Sequence, residues 1–380
     1  MKLWLKILIP VAATVLLAAA VILYGFYVEA ISFPKDGARD VIDLSPDTRT
    51  AGYNGELPPD RYGIWPTTEF VTTPESQGIR AGQLDFRMKL CAKTTDSFAV
   101  LRRGVLVYER YFGDMTADTP HYLASDTKGV VAMITGIAVK EGYIKSAQQK
   151  VIDFFPEARI APGEEAKRDM TVEHLLTMTC GLSEDLEVNG DERAALRAAL
   201  EEDTGLAIFE RAPLEVAPGE VYRYSGTCYQ LLVGLIARAT GQNVFDYAQE
   251  KLFGPLGITS AAWERAYDGQ PYGAGDLSLS THDMLRFGYL LLNEGRWEGR
   301  EILPADWIAQ ARAKNDKPNG VGFMIWNDRW NPGLECFELR GADGQFIMMF
   351  PSLDMVVART GHADRDYRGM LWFVRLWAKK

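Results

Sequence analysis

The sequence predicts an α+β protein. One antiparallel sheet is assembled from N- and C-terminal segments of the folded region, with flanking helices and a large helical insertion between its halves. Three observations carry this reading. Ser97–Leu101 and Val105–Phe112 enclose the turn Arg102-Arg103-Gly104 and read as a β-hairpin. Residues 335–340, 345–350 and 355–360 are strand-like, separated by Gly341-Ala342-Asp343-Gly344 and Pro351-Ser352-Leu353-Asp354. Between the two groups, from about 125 to 315, the apolar spacing is mainly helical.

Taken in order, the chain of 380 residues opens with an apolar run from Ile7 to Val28, preceded by Lys2 and Lys6. That length suits a membrane span and exceeds the apolar core of a signal peptide. Residues 1–30 are therefore expected to be an uncleaved anchor. A cleaved signal peptide is the alternative, since Ala18-Ala19-Ala20 imitates a cleavage site. Lysines before the run and Glu29, Asp36 and Asp40 after it place the body outside the cytoplasm, in the periplasm if the host is a Gram-negative bacterium. Residues 31–90, rich in Pro, Gly, Asp and Thr, read as a linker and irregular extension, and residues 91–380 as the folded domain.

Within that domain, residues 172–178 form a helix with Thr171 as cap, and Leu231–Thr240 a helix closed by Gly241. Phe245–Phe253 follows, before the break Gly254-Pro255-Leu256-Gly257. Ser280 and Asp283 have capping-box spacing ahead of Met284–Leu292. This explains Thr281-His282-Asp283 without a catalytic triad. A terminal helix is expected over Tyr367–Trp377. Trp263 and Trp307 read as core residues, and Trp326 and Asn327 as cleft candidates.

Composition excludes several classes. A net charge of −10 and pI near 5.1 argue against a nucleic-acid partner. Cys91, Cys180, Cys228 and Cys336 are widely spaced without C-x-x-C, and the four histidines form no H-E-x-x-H. No metal or cofactor is expected. The cysteines are expected to be buried thiols, although an oxidising compartment permits a disulfide. Nothing in the sequence fixes the oligomeric state.

The chemistry-bearing stretch is Ser125-Asp126-Thr127-Lys128, at the start of an apolar helix closed by Gly142. Residues three apart share a helix face, so Lys128 reaches the Ser125 hydroxyl. A helix start also offers unpaired N–H groups and the positive end of a dipole. The plainer alternative is an N-cap serine. Ser32-Phe33-Pro34-Lys35 has the same spacing, but Pro34 forbids a helix there. No G-x-S-x-G elbow is present.

Several ordered segments together resemble the serine β-lactamase and penicillin-recognising DD-peptidase superfamily. The resemblance is strongest to the class C-like branch, which includes esterases and aminohexanoate-oligomer hydrolases. Ser125-x-x-Lys128 matches its first motif. His174-Leu175-Leu176-Thr177-Met178-Thr179-Cys180-Gly181-Leu182 is similar to H-L-L-T-H-T-S-G-L, and Tyr224-Ser225-Gly226 to Y-S-N. Gly273-Ala274-Gly275-Asp276-Leu277, Phe287-Gly288 and Ile302-Leu303-Pro304 also fit. The similarity covers roughly residues 95 to 375.

The resemblance implies a β-lactamase/transpeptidase-like fold and a serine hydrolase that is acylated on Ser125 by an amide or ester. Lys128 and Tyr224 would share the proton traffic, each with a lowered pKa. The backbone N–H groups of Ser125 and Ala342 would form the oxyanion hole. Leu339-Arg340-Gly341 falls at the third motif, K-T-G. Gly344-Gln345 resembles the Gly-Gln of relaxed members, so Arg340, Gly341, Gly344 and Gln345 become substrate-binding candidates.

Two departures matter. Gly226 replaces the asparagine of Y-S-N, and Leu339 replaces a cation. Both point away from β-lactams and D-Ala-D-Ala peptides and towards another small-molecule or peptide-like amide or ester. A D-alanyl-D-alanine carboxypeptidase, a β-lactamase, and a non-catalytic cell-wall or partner-binding protein remain the alternatives.

Overall fold

The computed structural model describes residues 74–184, 190–313, 322–327 and 334–362, together with Val374 and Ala378. The apolar run Ile7–Val28, the segment Ser32–Lys35, the linker to residue 73, and the expected helix Tyr367–Trp377 apart from Val374 lie outside the described residues. Among the described residues, no helix is long and apolar enough to cross a membrane.

The hairpin forms as expected, from β1 (Thr95–Arg102) and β2 (Val105–Tyr111). Arg103 and Gly104 both have positive φ, 53° and 73°, a turn whose twist matches that of the paired strands. The later strands are β3 (Trp326–Asn327), β4 (Phe337–Gly341), β5 (Gln345–Phe350) and β6 (Met355–Gly361). All pairings are antiparallel and the order is β2-β1-β6-β5-β4-β3. The two ends of the domain meet at β1 and β6, where Phe98 pairs with Arg359 and Val100 with Val357.

Alternation along each strand feeds two cores. Phe98, Val100, Phe346, Met348 and Val357 face one side. Ala99, Leu101, Leu339, Ile347, Val356 and Ala358 face the other. The first side is covered by a helix, Ala81–Cys91, in the stretch expected to be irregular up to residue 90. Leu84, Met88 and Cys91, four and three residues apart, supply a narrow buried stripe. A stripe of three residues in an otherwise polar helix is a weak signal, and the sheet beneath it makes it sufficient.

The second side carries the helix Asp126–Lys140, buried from Asp126 to Ala138, as its almost uniformly apolar sequence requires. Gly129 lets it approach β4 closely: a Cβ there would lie 2.3 Å from Leu339 Cδ2. A short sheet of His121–Tyr122, Leu277–Leu279 and Ala262–Trp263 holds the entry to this helix. The Leu123 N–H donates to the Leu277 carbonyl (2.9 Å), and the Leu277 N–H to Thr127 Oγ1 (3.3 Å).

The inserted block is centred on the helix Gly226–Thr240, whose cap Ser225 accepts from the Cys228 N–H at 3.0 Å. The Thr171 cap and the Ser280 cap form as expected. The cysteine expectation is corrected. Cys180 and Cys228 are disulfide-bonded, their Cα atoms 6.6 Å apart, while Cys91 and Cys336 are buried thiols. Their separation of 48 residues hides a proximity that only the packing of the helical block creates.

Candidate active site

Ser125 occupies the N-cap position of its helix, but its hydroxyl makes no capping bond. The plain cap alternative is thereby removed, and Oγ is left facing Lys128. The residue before it, Ala124, has φ of 49°. Left-handed geometry at a residue with a Cβ costs about 1–2 kcal/mol and is held here by the short sheet. Strain next to a candidate nucleophile is a signal that the sequence does not display.

Lys128 Nζ lies 3.2 Å from Ser125 Oγ and also donates to the Ala274 carbonyl. Only 3 % of Lys128 is exposed. Desolvation pulls its pKa from 10.5 down to about 8, against the charges of Glu184 and Asp276, which raise it. The Gly273–Asp276 segment thus anchors the lysine through a main-chain oxygen. A residue's carbonyl carries no side-chain signature, so this role is invisible in the sequence.

Tyr224 is 46 % exposed as a residue, so it is not a core tyrosine. Its hydroxyl hydrogen-bonds with Ser125, and Lys128 Nζ stands 4.9 Å from its ring centroid. Burial of the hydroxyl end pushes its pKa up to about 12, only partly offset by the bond to Ser125; Tyr222, Asp126 and Glu184 push the same way. The expectation that both pKa values fall is corrected. Lys128 moves towards neutrality, and Tyr224 stays a phenol because its surroundings are apolar and acidic.

The turn after β4 closes the site. A Cβ on Gly341 would lie 2.2 Å from the Leu123 carbonyl and 3.1 Å from Ala124 Cβ, so glycine brings β4 against the segment leading into Ser125. Ala342, exposed, follows directly in the turn Ala342–Gly344. Gly344 and Gln345 turn away from the role expected of them. The Gln345 amide donates to the Gly361 carbonyl (2.6 Å) and accepts the Gly361 N–H (2.9 Å). The Gly344 carbonyl accepts from the buried Arg359 at 2.6 Å. Both fasten the turn rather than present groups to a substrate. Arg340 is ion-paired with Glu338, two residues back on the same strand, and lies over Trp326. It does not replace the cation missing at Leu339, which is buried against the helix.

On the Tyr224 side of the site runs a cleft of about 210 Å³, lined among others by Met178, Glu184, Glu215, Tyr224 and Ser225 but by neither Ser125 nor Lys128. The other candidates fall elsewhere. His282 Nε2 bonds Glu109 at 2.8 Å, and Asp283 engages Ser260 and Arg286, so they form no triad. Trp263 and Trp307 are core residues as expected, and Trp326 packs against the same core. No cluster of metal-ligating side chains occurs among the described residues.

Residues 89–373 match the family model described as Beta-lactamase. The chain belongs to that family. It is accordingly a serine hydrolase of the amide- and ester-cleaving class. It is 22 % identical to the 6-aminohexanoate-dimer hydrolase of Paenarthrobacter ureafaciens, over 78 % of this chain and 81 % of that protein. The fold is shared with the octameric penicillin-binding protein homologue of Pyrococcus abyssi (TM-score 0.59, 20 % identity, 78 % and 77 % of the two chains). It is also shared with a penicillin-binding protein homologue of Caulobacter crescentus (TM-score 0.62, 17 % identity, 76 % and 95 %).

Against the family pattern, Glu184 is the residue that sequence reading missed. Its carboxylate accepts the Gly226 N–H at 3.0 Å and the Thr227 N–H at 3.3 Å. It therefore sits where Y-S-N ends, although 42 residues separate it from Gly226.

Proposed function

We propose that this Beta-lactamase family member hydrolyses an amide or ester through an acyl-enzyme on Ser125, tethered to a membrane by residues 1–30. The observation that carries the reading is a single one: Ser125 Oγ lies within 3.2 Å of a buried lysine whose pKa has fallen to about 8. At neutral pH about a tenth of such lysines are free amines, against about one in three thousand at the ordinary value. Lys128 then takes the Ser125 proton as Oγ bonds the substrate carbonyl carbon. The N–H groups of Ser125 and Ala342 hold the oxyanion. As the C–N or C–O bond breaks, Tyr224, still a phenol, protonates the leaving atom and regains a proton from the Lys128 ammonium. Water, deprotonated by Lys128, adds to the acyl-enzyme carbonyl; the bond to Ser125 Oγ breaks, Oγ takes the proton back from Lys128, and the acid leaves.

The likeness to the 6-aminohexanoate-dimer hydrolase, together with Gly226 and Leu339, favours a small amide or ester over a β-lactam. The tether rests on the apolar run Ile7–Val28 with its flanking charges. Full-length protein in detergent, treated with a fluorophosphonate and mapped by mass spectrometry, tests the catalytic reading. The label is expected on Ser125 and lost in Ser125→Ala and Lys128→Ala. A folded, unlabelled wild type would count against an activated serine and for a binding protein. Retention in a carbonate-washed membrane fraction tests the tether.

A further inference from the structure

Where the family pattern has a neutral amide, this site holds a carboxylate. A Cβ on Gly226 would meet Ala274 Cβ at 3.2 Å and Glu184 Oε2 at 3.5 Å. Ala274 and Glu184 thus border the direction in which an asparagine side chain would leave the backbone, and Glu184 brings the polar group there. Its two bonds to the Gly226 and Thr227 N–H groups fix it there. Backbone amides orient a carboxylate without cancelling its charge, and among the described residues Glu184 makes no ion pair. It is exposed, and it lines the cleft beside Tyr224.

The neighbouring cations are committed elsewhere. Arg223 pairs with Glu215, Arg340 with Glu338, and Lys128 faces Ser125 and Ala274. Leu339 supplies no charge, and Asp276 adds a second acid whose field, like that of Glu184, reaches Lys128. Lys128, still mostly an ammonium at neutral pH, is the cation that both acids act on; a substrate carboxylate entering beside Glu184 meets repulsion from it, and an ammonium meets attraction.

We infer that Glu184 is a specificity-determining residue that selects substrates carrying a cationic group near the scissile bond. This rests on the Ser125 acyl-enzyme reading. Coulomb attraction over roughly 6 Å at a partly exposed site corresponds to about a tenfold preference, or about 1.4 kcal/mol.

The test uses two isosteric ester pairs on full-length protein. One carries the charge in the acyl group: p-nitrophenyl 4-(trimethylammonio)butanoate against p-nitrophenyl 5,5-dimethylhexanoate. The other carries it in the leaving group: butyrylcholine against 3,3-dimethylbutyl butyrate. The readout is the kcat/KM ratio within a pair, with Ser125 acylation followed by mass spectrometry. At least one pair is expected to favour the cation about tenfold at low salt, less at high salt. Glu184→Gln, which keeps an acceptor for the Gly226 N–H, is expected to bring that ratio near one, and Glu184→Lys to invert it. Because the ratio is internal to each variant, partial loss of folded enzyme does not alter it. Ratios near one for both pairs in the wild type, or a preference that survives in Glu184→Gln, overturn the inference while leaving the acyl-enzyme reading intact. Turnover that persists in Ser125→Ala, or no acylation by any of the four esters, removes that reading and this inference with it.

Discussion

Replacing Lys128 by methionine should abolish turnover and yet make the protein more stable at neutral pH. The side chains are similar in length, and the site is almost fully buried. The fall of the lysine pKa from 10.5 to about 8 means that holding it charged in the fold costs about 3 kcal/mol at pH 7. Methionine removes that cost and forfeits the bonds to Ser125 Oγ and the Ala274 carbonyl, about 1 kcal/mol each. The net gain is about 1–2 kcal/mol. The sign is pH-dependent. The folded state holds this proton less tightly than the unfolded chain, so wild-type stability rises as pH climbs from about 8 to 10.5. Urea denaturation of both proteins at pH 7 and pH 10 should show the methionine advantage at pH 7 and its loss by pH 10. In the wild type, kcat/KM should rise tenfold per pH unit and level off near pH 8, where the free amine becomes dominant. A variant less stable at pH 7, or an acid limb that levels near pH 6, would refute the view that desolvation of Lys128 creates the base.

Two structural predictions stand beside those made for the fluorophosphonate label and for Glu184. Breaking the Cys180–Cys228 disulfide, which closes a loop with a separation of 48, should cost about 4 kcal/mol on the loop-entropy account. Cys180→Ala/Cys228→Ala compared with wild type in urea, with and without reductant, measures it, and a cost below about 1 kcal/mol would mean that the helical block is held without it. Gln345→Leu should lose about 2–4 kcal/mol, because it leaves the buried Gly361 N–H and carbonyl without the amide that serves both. A loss under about 1 kcal/mol would return Gln345 to the substrate-binding candidates.

The parts of the fold legible in the sequence are those written in local pattern. The hairpin at Arg103-Gly104, the strands before and after Gly341–Gly344, and the caps Thr171 and Ser280 all lie within a few residues of where pattern placed them. The helix Ala81–Cys91 escaped because only three of its residues are buried in the sheet-facing stripe. In the site, Ser125 and Lys128 were legible because they are one helical turn apart. Tyr224 was legible only through the order of motifs along the chain. The amide of Gln345 was misread because motif likeness does not say which way a strand residue points, and here it points at Gly361.

By itself, then, the sequence determined an α+β sheet closed by both chain ends and a serine–lysine pair on one helix face. Turn geometry, residue period and i to i+3 spacing are short-range, and a linear string records them. Only the tertiary structure decided the chemistry at that pair. Burial against Ala274 lowers Lys128, acidic and apolar surroundings raise Tyr224, and Glu184 meets Gly226 where the Cys180–Cys228 disulfide draws the two ends of its loop together. Desolvation and through-space charge depend on which distant segments are packed together, and that packing exists only in the folded chain.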